Sequence, residues 1–348
     1  MIPPTQRALV FKRGTPSVVN RAVPTPANGE ILVKICSAAL NPIDGSFAFD
    51  GFSAGGVVPE VLGCDAAGLV QHVGPGVTGF IEGDPVFYQC NFLDSRTTSF
   101  QQYAVIPADL AAKVPTNVSL DEASTFGITS GTAAIGMYHT REGLLGSGLT
   151  PPWVEGGKGK YKGQAYLVVG GSSSIGQYAI QFARISGFSP IITTAAPKHA
   201  EYLKSIGATY VLDRSLSQSG ILSAIRSALG STPLNYALEA ISYSDTIGLA
   251  LAALAPGGTL ASAAGGAGYV KDGKTVVNIF GSLHTPQNLE FGRGFIAGLR
   301  DLLATGESKP NRVEVLQGGL NGIPEGLRRI SKGAVGGIKL VARPQETK

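Results

Sequence analysis

At 348 residues the chain exceeds what one hydrophobic core ordinarily serves, so two domains are expected. Hydrophobic residues make up 43% and charged residues 15%, and the net charge of +4 is scattered without a basic run, which argues against a nucleic-acid partner. No apolar stretch is long enough to cross a bilayer and Met1-Ile-Pro-Pro-Thr-Gln-Arg7 has no signal-peptide core, so a cytoplasmic protein with no membrane partner is expected.

Between Arg7 and Pro107, short alternating or apolar runs are separated by Gly, Pro and Asn. Arg7-Ala-Leu-Val-Phe11, Ile31-Leu-Val-Lys-Ile35 and Ala67-Gly-Leu-Val-Gln-His-Val73 are examples. The pattern predicts strands joined by tight turns, an antiparallel β-rich first domain. The three cysteines, Cys36, Cys64 and Cys90, are odd in number and far apart, which fits neither a disulfide framework nor a four-cysteine zinc site. They are expected as small buried hydrophobes. From Leu120 the texture changes. Asp121-Glu-Ala-Ser-Thr125 opens a helix with acidic residues in its first turn, where the helix dipole favours them. Thr129-Ser-Gly-Thr-Ala-Ala-Ile-Gly-Met-Tyr138 reads as a second helix. The polar Gly/Pro-rich stretch from Gly143 to Lys162, which holds Trp153, is either a surface excursion or a binding edge.

Strand–helix units follow. Tyr166-Leu-Val-Val169 is an apolar strand, and Gly170-Gly-Ser-Ser-Ser-Ile-Gly176 leads into a segment with helical spacing of its apolar positions. Such a turn aims backbone N–H groups and a helix N-terminus at one point, which suits a pyrophosphate. Ser173 takes the place of the middle glycine of the usual fingerprint; it is small, and its hydroxyl can donate to a phosphate oxygen. Further strands are expected at Ile191–Thr194, Tyr210–Asp213, Asn235–Glu239, Thr259–Ser262 and Val276–Phe280, with helices over 198–206, 220–229 and 245–254. This alternation predicts a doubly wound α/β domain with an open parallel sheet. Beyond it come a helix over 291–305 and strands at Val313–Leu316 and Gly337–Ala342 that can return to the first domain. The expected division is 1–127 with 293–348 for the first domain and 128–292 for the dinucleotide-binding one.

After the second strand of that sheet there is no acid to read a ribose 2′-hydroxyl, but Lys198, His199 and, after the third strand, Arg214 are near enough in such a fold to accept a 2′-phosphate. NADPH is therefore the expected cofactor. Surface solvation of Lys198 and Arg214 is the plainer alternative.

The chain resembles the zinc-independent medium-chain dehydrogenase/reductases, quinone-oxidoreductase branch. The resemblance is carried by Ala39-Leu-Asn-Pro-Ile-Asp44, Val61-Leu-Gly-Cys-Asp-Ala-Ala-Gly68, Gly74-Pro-Gly-Val77 with Glu82-Gly-Asp-Pro-Val86, the turn Gly170–Gly176, Gly318-Gly-Leu-Asn-Gly-Ile-Pro-Glu-Gly-Leu327 and Gly337-Ile-Lys-Leu-Val341. Within the branch it is similar to fungal trans-acting enoyl reductases. The resemblance implies a GroES-like catalytic domain beside a Rossmann cofactor domain. It implies that Asn41 and Pro42 sit beside the nicotinamide, that Thr129 contacts the cofactor and the substrate, that Gly171, Ser172, Ser173, Ser174 and Ile175 line the pyrophosphate, and that Gly336 and Gly337 close over the nicotinamide side. A turn-forming pair at 41–42 and a helix N-cap at 129 are the plainer alternatives.

Zinc-dependent relatives place ligands where this chain has Asn41, Cys64 and about Phe126, so no metal is expected. The implied reaction is hydride delivery to the C=C bond of an enone, enal or enoyl compound. The family's usual proton donors are missing, leaving Ser46 and Tyr88, with Tyr103 and His284, as candidates alongside water. Phe47, Phe49, Phe52 and Phe92 are either a pocket wall or core. A quinone reductase and a non-catalytic NADPH-binding protein are the competing readings. The partner is expected to be a small α,β-unsaturated carbonyl or quinone, free or tethered to a synthase, and the protein a monomer or a homodimer.

Overall fold

The computed structural model describes residues 1–12, 15–53, 56 and 59–348. The chain divides into two compact units, one of residues 1–128, 282–304 and 310–348, the other of residues 129–281 and 305–309.

The first unit is built on a mixed sheet whose strands run, in spatial order, Val313–Val315, Lys339–Ala342, Glu30–Ala39, Asp65–Val73, Pro85–Gln89 and Ala111–Lys113. Tyr103–Pro107 adds to Glu30–Ala39, and Thr5–Lys12 pairs with Thr15–Ala22. The pairing is antiparallel as expected, except that the C-terminal strand Lys339–Ala342 lies parallel to Val313–Val315 and antiparallel to Glu30–Ala39. Ile31, Ile35, Tyr88 and Phe100 are buried to within 1%. The helix Ile323–Ser331 lends Ile323 and Leu327, each fully buried, to the same core.

The structure divides the chain at 281/282, where 292/293 was expected, and the helix Leu289–Ala304 lies wholly in the first unit. Arg293 Nε donates to Asp109 at 2.7 Å and Asn117 donates to the Leu303 carbonyl at 3.0 Å. Phe295, Leu299, Leu302 and Leu303 form its buried face. Conversely, residues 305–309 belong to the second unit. There Lys158 pairs with Glu307 at 2.6 Å, and Gln181 exchanges two hydrogen bonds with Lys309 at 2.7 and 3.1 Å.

The second unit holds a seven-stranded sheet in the order Tyr210–Asp213, Ile191–Ala195, Tyr166–Val169, Tyr236–Glu239, Thr259–Ser262, Lys274–Asn278 and Tyr269–Lys271. The first six strands are parallel and doubly wound, and the direction of winding switches between Tyr166–Val169 and Tyr236–Glu239. The sheet departs from expectation at its edge. The sixth strand starts earlier, at Lys274, and Tyr269–Lys271 pairs with it antiparallel across Asp272-Gly273, both residues at positive φ. An Asp-Gly pair between short runs is the sequence mark of such a hairpin. The stretch 143–162 is packed against its own unit: Trp153 sits 5.2 Å from Tyr138 and Tyr161 stacks on Phe188 at 4.8 Å, ring centroid to centroid. Among the described residues, no helix is long and apolar enough to cross a membrane.

Leu327→Ala tests whether the C-terminal segment is an integral part of the first unit's core. The expected loss is about 2–5 kcal/mol, read by chemical denaturation with a probe in that unit.

Candidate active site

In the second unit, the four residues Tyr166–Val169 are buried on both faces of the sheet, and the chain leaves them through Gly170 at φ +87°. The twelve-residue helix Ser174–Ile185 follows. A Cβ on Gly176 would lie 2.3 Å from the Gly170 carbonyl oxygen, so only glycine lets the helix start this close to the strand. Ser173 does more than substitute for a glycine. Its Oγ accepts the Gly176 N–H at 3.0 Å and caps the helix, which leaves the hydroxyl proton to donate outward. Gln177 donates to the Ser172 carbonyl at 3.1 Å and accepts the Tyr202 hydroxyl at 2.9 Å, bracing the turn from behind. Ser172, Ser174 and Ile175 are partly exposed at the helix N-terminus. The residues fit a dinucleotide pyrophosphate: a cradle that a side chain would fill, N–H groups left over at the helix start, and a hydroxyl free to donate.

At the neighbouring strand end the Arg214 N–H donates to the Ala195 carbonyl at 3.1 Å, which sets Arg214 beside the turn that carries Lys198. Lys198 and Arg214 are exposed, whereas His199 is 8% exposed and is less open to a ligand. Across the switch point stands a group that the sequence reading missed. Glu239 is fully buried, and its carboxylate accepts from the backbone N–H of Ile241 at 2.7 Å, that of Ser242 at 2.8 Å, the Thr246 hydroxyl and the Ser262 hydroxyl, the last two at 2.9 Å. It therefore fixes the loop after its strand, including Ser242 at φ +72°. The available signal was an acid ending an apolar strand.

In the first unit, Asn41 caps the helix Pro42–Phe49 and is 1% exposed. Its Nδ2 donates to Asp65 Oδ2 at 2.9 Å and its Oδ1 accepts the Lys339 ammonium at 2.5 Å. Lys339 Nζ lies 3.4 Å from Asp65 Oδ2, and this ion pair is buried, with side-chain exposures of 4% and 0%. The second Asp65 oxygen accepts the Ile128 N–H at 2.5 Å, inside the first turn of the helix Gly127–Tyr138. Both ends of the Asn41 amide are thus engaged, and Pro42 is the exposed residue of the pair. Thr129 follows Ile128 as the third residue of its helix, so it is not an N-cap; it is 5% exposed. Gly337, at φ +71°, gives its carbonyl to Arg312 at 3.0 Å, two residues before Lys339, and Gly336 is exposed.

Asp44 accepts the Asn41 N–H at 2.8 Å and the Cys64 thiol at 3.2 Å. Burial nevertheless pushes its carboxyl up to about 7. Cys64 and Cys90 are buried as expected, while Cys36 is half-buried on its strand.

The proposed proton donors fare unequally. Tyr88 is 1% exposed, its hydroxyl has no partner among the described residues, and burial holds its phenol well above the ordinary value, which disfavours it as a proton donor. Burial likewise raises Tyr103 and lowers His284, whose Nε2 is bonded to the Gln89 carbonyl at 2.8 Å. Ser46 is half-buried in its helix. Of the four phenylalanines, Phe47 gathers Phe52 at 5.1 Å and Phe92 at 6.0 Å, whereas Phe49 packs instead on Phe11 and under Arg328.

Zinc does not fit the residues at the positions where zinc-dependent relatives carry ligands. Asn41 is bonded at both ends, the Cys64 thiol donates to Asp44, Phe126 packs on Phe87 at 5.6 Å, and Lys339 already supplies a positive charge to Asp65. Among the described residues no group of three His, Cys, Asp or Glu side chains could hold a metal ion.

Residues 27–116 match the alcohol dehydrogenase GroES-like domain family and residues 174–292 the family described as zinc-binding dehydrogenase. The chain is 31% identical to a trans-enoyl reductase of Gibberella fujikuroi over 90% of this chain and 91% of that one. It is 30% identical to a trans-enoyl reductase of Alternaria alternata, over 97% and 98%. This chain belongs to the medium-chain dehydrogenase/reductases of the enoyl-reductase type. A solved alcohol dehydrogenase superfamily protein from Novosphingobium aromaticivorans shares the fold, at a TM-score of 0.77 and 24% identity over 97% of this chain and 99% of that one. As a medium-chain oxidoreductase the protein has a GroES-like unit and a Rossmann-like unit, and its family works with a nicotinamide cofactor.

Two measurements test these local assignments in the medium-chain reductase. Gly176→Ala places a methyl against the Gly170 carbonyl and is expected to weaken nicotinamide-cofactor binding by about tenfold or more, as read by titration. Asp44 keeps its proton when folded at pH values where the unfolded chain has lost it. Its stabilising contribution is therefore complete below the ordinary carboxyl value of 3.8 and is lost as the pH rises through about 7. Asp44→Asn is expected to flatten this fall, as read from unfolding midpoints between about pH 5 and about pH 8.

Proposed function

We propose that this chain is a zinc-independent, NADPH-dependent reductase of the C=C bond in α,β-unsaturated carbonyl compounds of the enone, enal or enoyl type. The observation that carries the reading is the buried Lys339–Asp65 pair, both members of which are bonded to Asn41, where a zinc-dependent relative has a metal ligand. A fixed ammonium there supports chemistry without a Lewis acid, and the relatives named trans-enoyl reductases support the enoyl class.

A nicotinamide cofactor held at Gly171–Ile175 would supply hydride for the β-carbon of the acceptor. The chain's own residues bind and orient. The Ser173 hydroxyl and the N–H groups of the first helical turn hold the pyrophosphate. Lys198 and Arg214 take the 2′-phosphate, with His199 packed beneath. By the family resemblance, Pro42, Thr129, Gly336 and Gly337 would be the residues toward the nicotinamide. Phe47, Phe52 and Phe92 form an apolar wall for the acyl part of the acceptor, whether free or carried by a synthase. Charge developing on the acceptor's carbonyl oxygen needs a hydrogen-bond donor, and the Thr129 hydroxyl is the group we assign to it. With Tyr88 buried, the half-buried Ser46 and water remain as sources of the α-carbon's proton. If water serves, a quinone reductase, whose acceptor needs no shaped donor, is the second reading.

Oxidation of NADPH and NADH against a panel of enones, enals, enoyl thioesters and quinones tests the proposal. Turnover confined to quinones supports the second reading, and cofactor binding without turnover of any acceptor overturns both. In the double variant Lys198→Ala/Arg214→Ala the KM for NADPH is expected to rise about tenfold or more while that for NADH stays within about twofold; an equal rise for both cofactors removes the 2′-phosphate role.

A further inference from the structure

Asn41 is held in an unusual way for a helix cap. Its side-chain oxygen is bonded to a buried ammonium and its side-chain nitrogen to a buried carboxylate, and those two charges also pair with each other. An amide in which oxygen faces a cation and nitrogen an anion has one permitted orientation; turning it over would set its NH₂ against Lys339 and its oxygen against Asp65. Each charge is tied to a different segment. Lys339 begins the last strand, two residues after Gly337, whose carbonyl is held by Arg312. Asp65 begins the strand Asp65–Val73 and accepts the N–H of Ile128, the neighbour of Thr129. A Cβ on Gly127 would lie 1.9 Å from the Asp65 oxygen, so the chain there is shaped around this carboxylate. Three segments that carry the residues assigned to the nicotinamide, at 41–42, 128–129 and 336–337, therefore meet at one ion pair. Well-packed hydrophobic residues of similar volume often stabilise a fold as well as or better than a buried ion pair, so stability alone does not account for this one.

We propose that Lys339 is a positioning residue for hydride transfer, fixing the Asn41 amide and, through Asp65, the start of the helix that bears Thr129. This inference rests on the nicotinamide-facing role given above to those segments. It asks nothing of Lys339 as an acid, because its ammonium touches only Asn41 and Asp65 among the described residues.

The test compares Lys339→Met, the double variant Lys339→Met/Asp65→Asn and Asn41→Ala with the full-length wild type. Three readouts are taken: unfolding midpoint, steady-state kcat and KM for NADPH, and the emission of bound NADPH, which reports how firmly the nicotinamide ring is held. Lys339→Met strands a buried carboxylate and is expected to lower the midpoint sharply. The double variant has no stranded charge, so its midpoint is expected to return towards wild type. Its kcat is nevertheless expected to stay down by about tenfold or more, its KM for NADPH to remain within about twofold, and its bound-NADPH emission to stay altered. Asn41→Ala is expected to reproduce the emission change with the ion pair intact. Wild-type kcat and emission in the double variant would reduce Lys339 to a structural counter-charge and overturn the proposal, as would wild-type emission in Asn41→Ala. If the wild type reduces no acceptor, the proposed function falls while the emission comparison still decides the role of Lys339.

Discussion

The carboxylate of Asp65 has no exposed surface, and a charge removed from water costs several kcal/mol unless its surroundings replace every lost hydrogen bond. The replacement here comes from three distant parts of the chain: an ammonium at 339, a side-chain amide at 41 and a backbone N–H at 128. That requirement explains features that look unrelated in isolation. Gly127 has no room for a side chain, Lys339 is buried at the start of a strand, and Asn41 spends its amide inward while Pro42 faces out. The first unit's geometry around Asn41, Ile128 and Lys339 depends on this one carboxylate being satisfied.

A second buried carboxylate does similar work in the other unit. Glu239 collects two backbone N–H groups and two hydroxyls, and so holds the loop at the switch point of the parallel sheet. Beside it, the turn after Tyr166–Val169 is held by a missing side chain at Gly176 and by the Ser173 cap. Both units thus prepare their functional edges in advance, by polar groups whose partners are entirely internal. Groups held in this way lose little further freedom when a ligand binds, which is what a positioned site requires.

The medium-chain scaffold supports metal-assisted and metal-free chemistry, and what distinguishes them is local. At the positions of interest this chain has an amide, a thiol turned towards Asp44 and a phenylalanine, with a lysine providing the cation. A Lewis acid polarises the substrate directly, whereas this ammonium is fully occupied by Asn41 and Asp65. Its effect can only pass through the groups it orients.

Much of this was legible in the order of residues. The alternation of apolar runs with helical spacing from Tyr166 to Ser262 determined the parallel sheet, because each strand is buried on both faces and each helix on one. The Gly170–Gly176 turn and the cations at 198 and 214 were legible because backbone approach and charge are properties of single positions. Asn41 and Thr129 were legible only through a resemblance, and only as locations. Tertiary structure decided the direction of the Asn41 amide, which depends on residues 24 and 298 positions away. It also decided the assignment of Leu289–Ala304 to the first unit, the burial of Tyr88 and the service of Glu239. The physical reason is common to all four. Whether a polar side chain faces solvent, a ligand or another buried group depends on which partners the fold brings to it, and those partners lie far off in the chain.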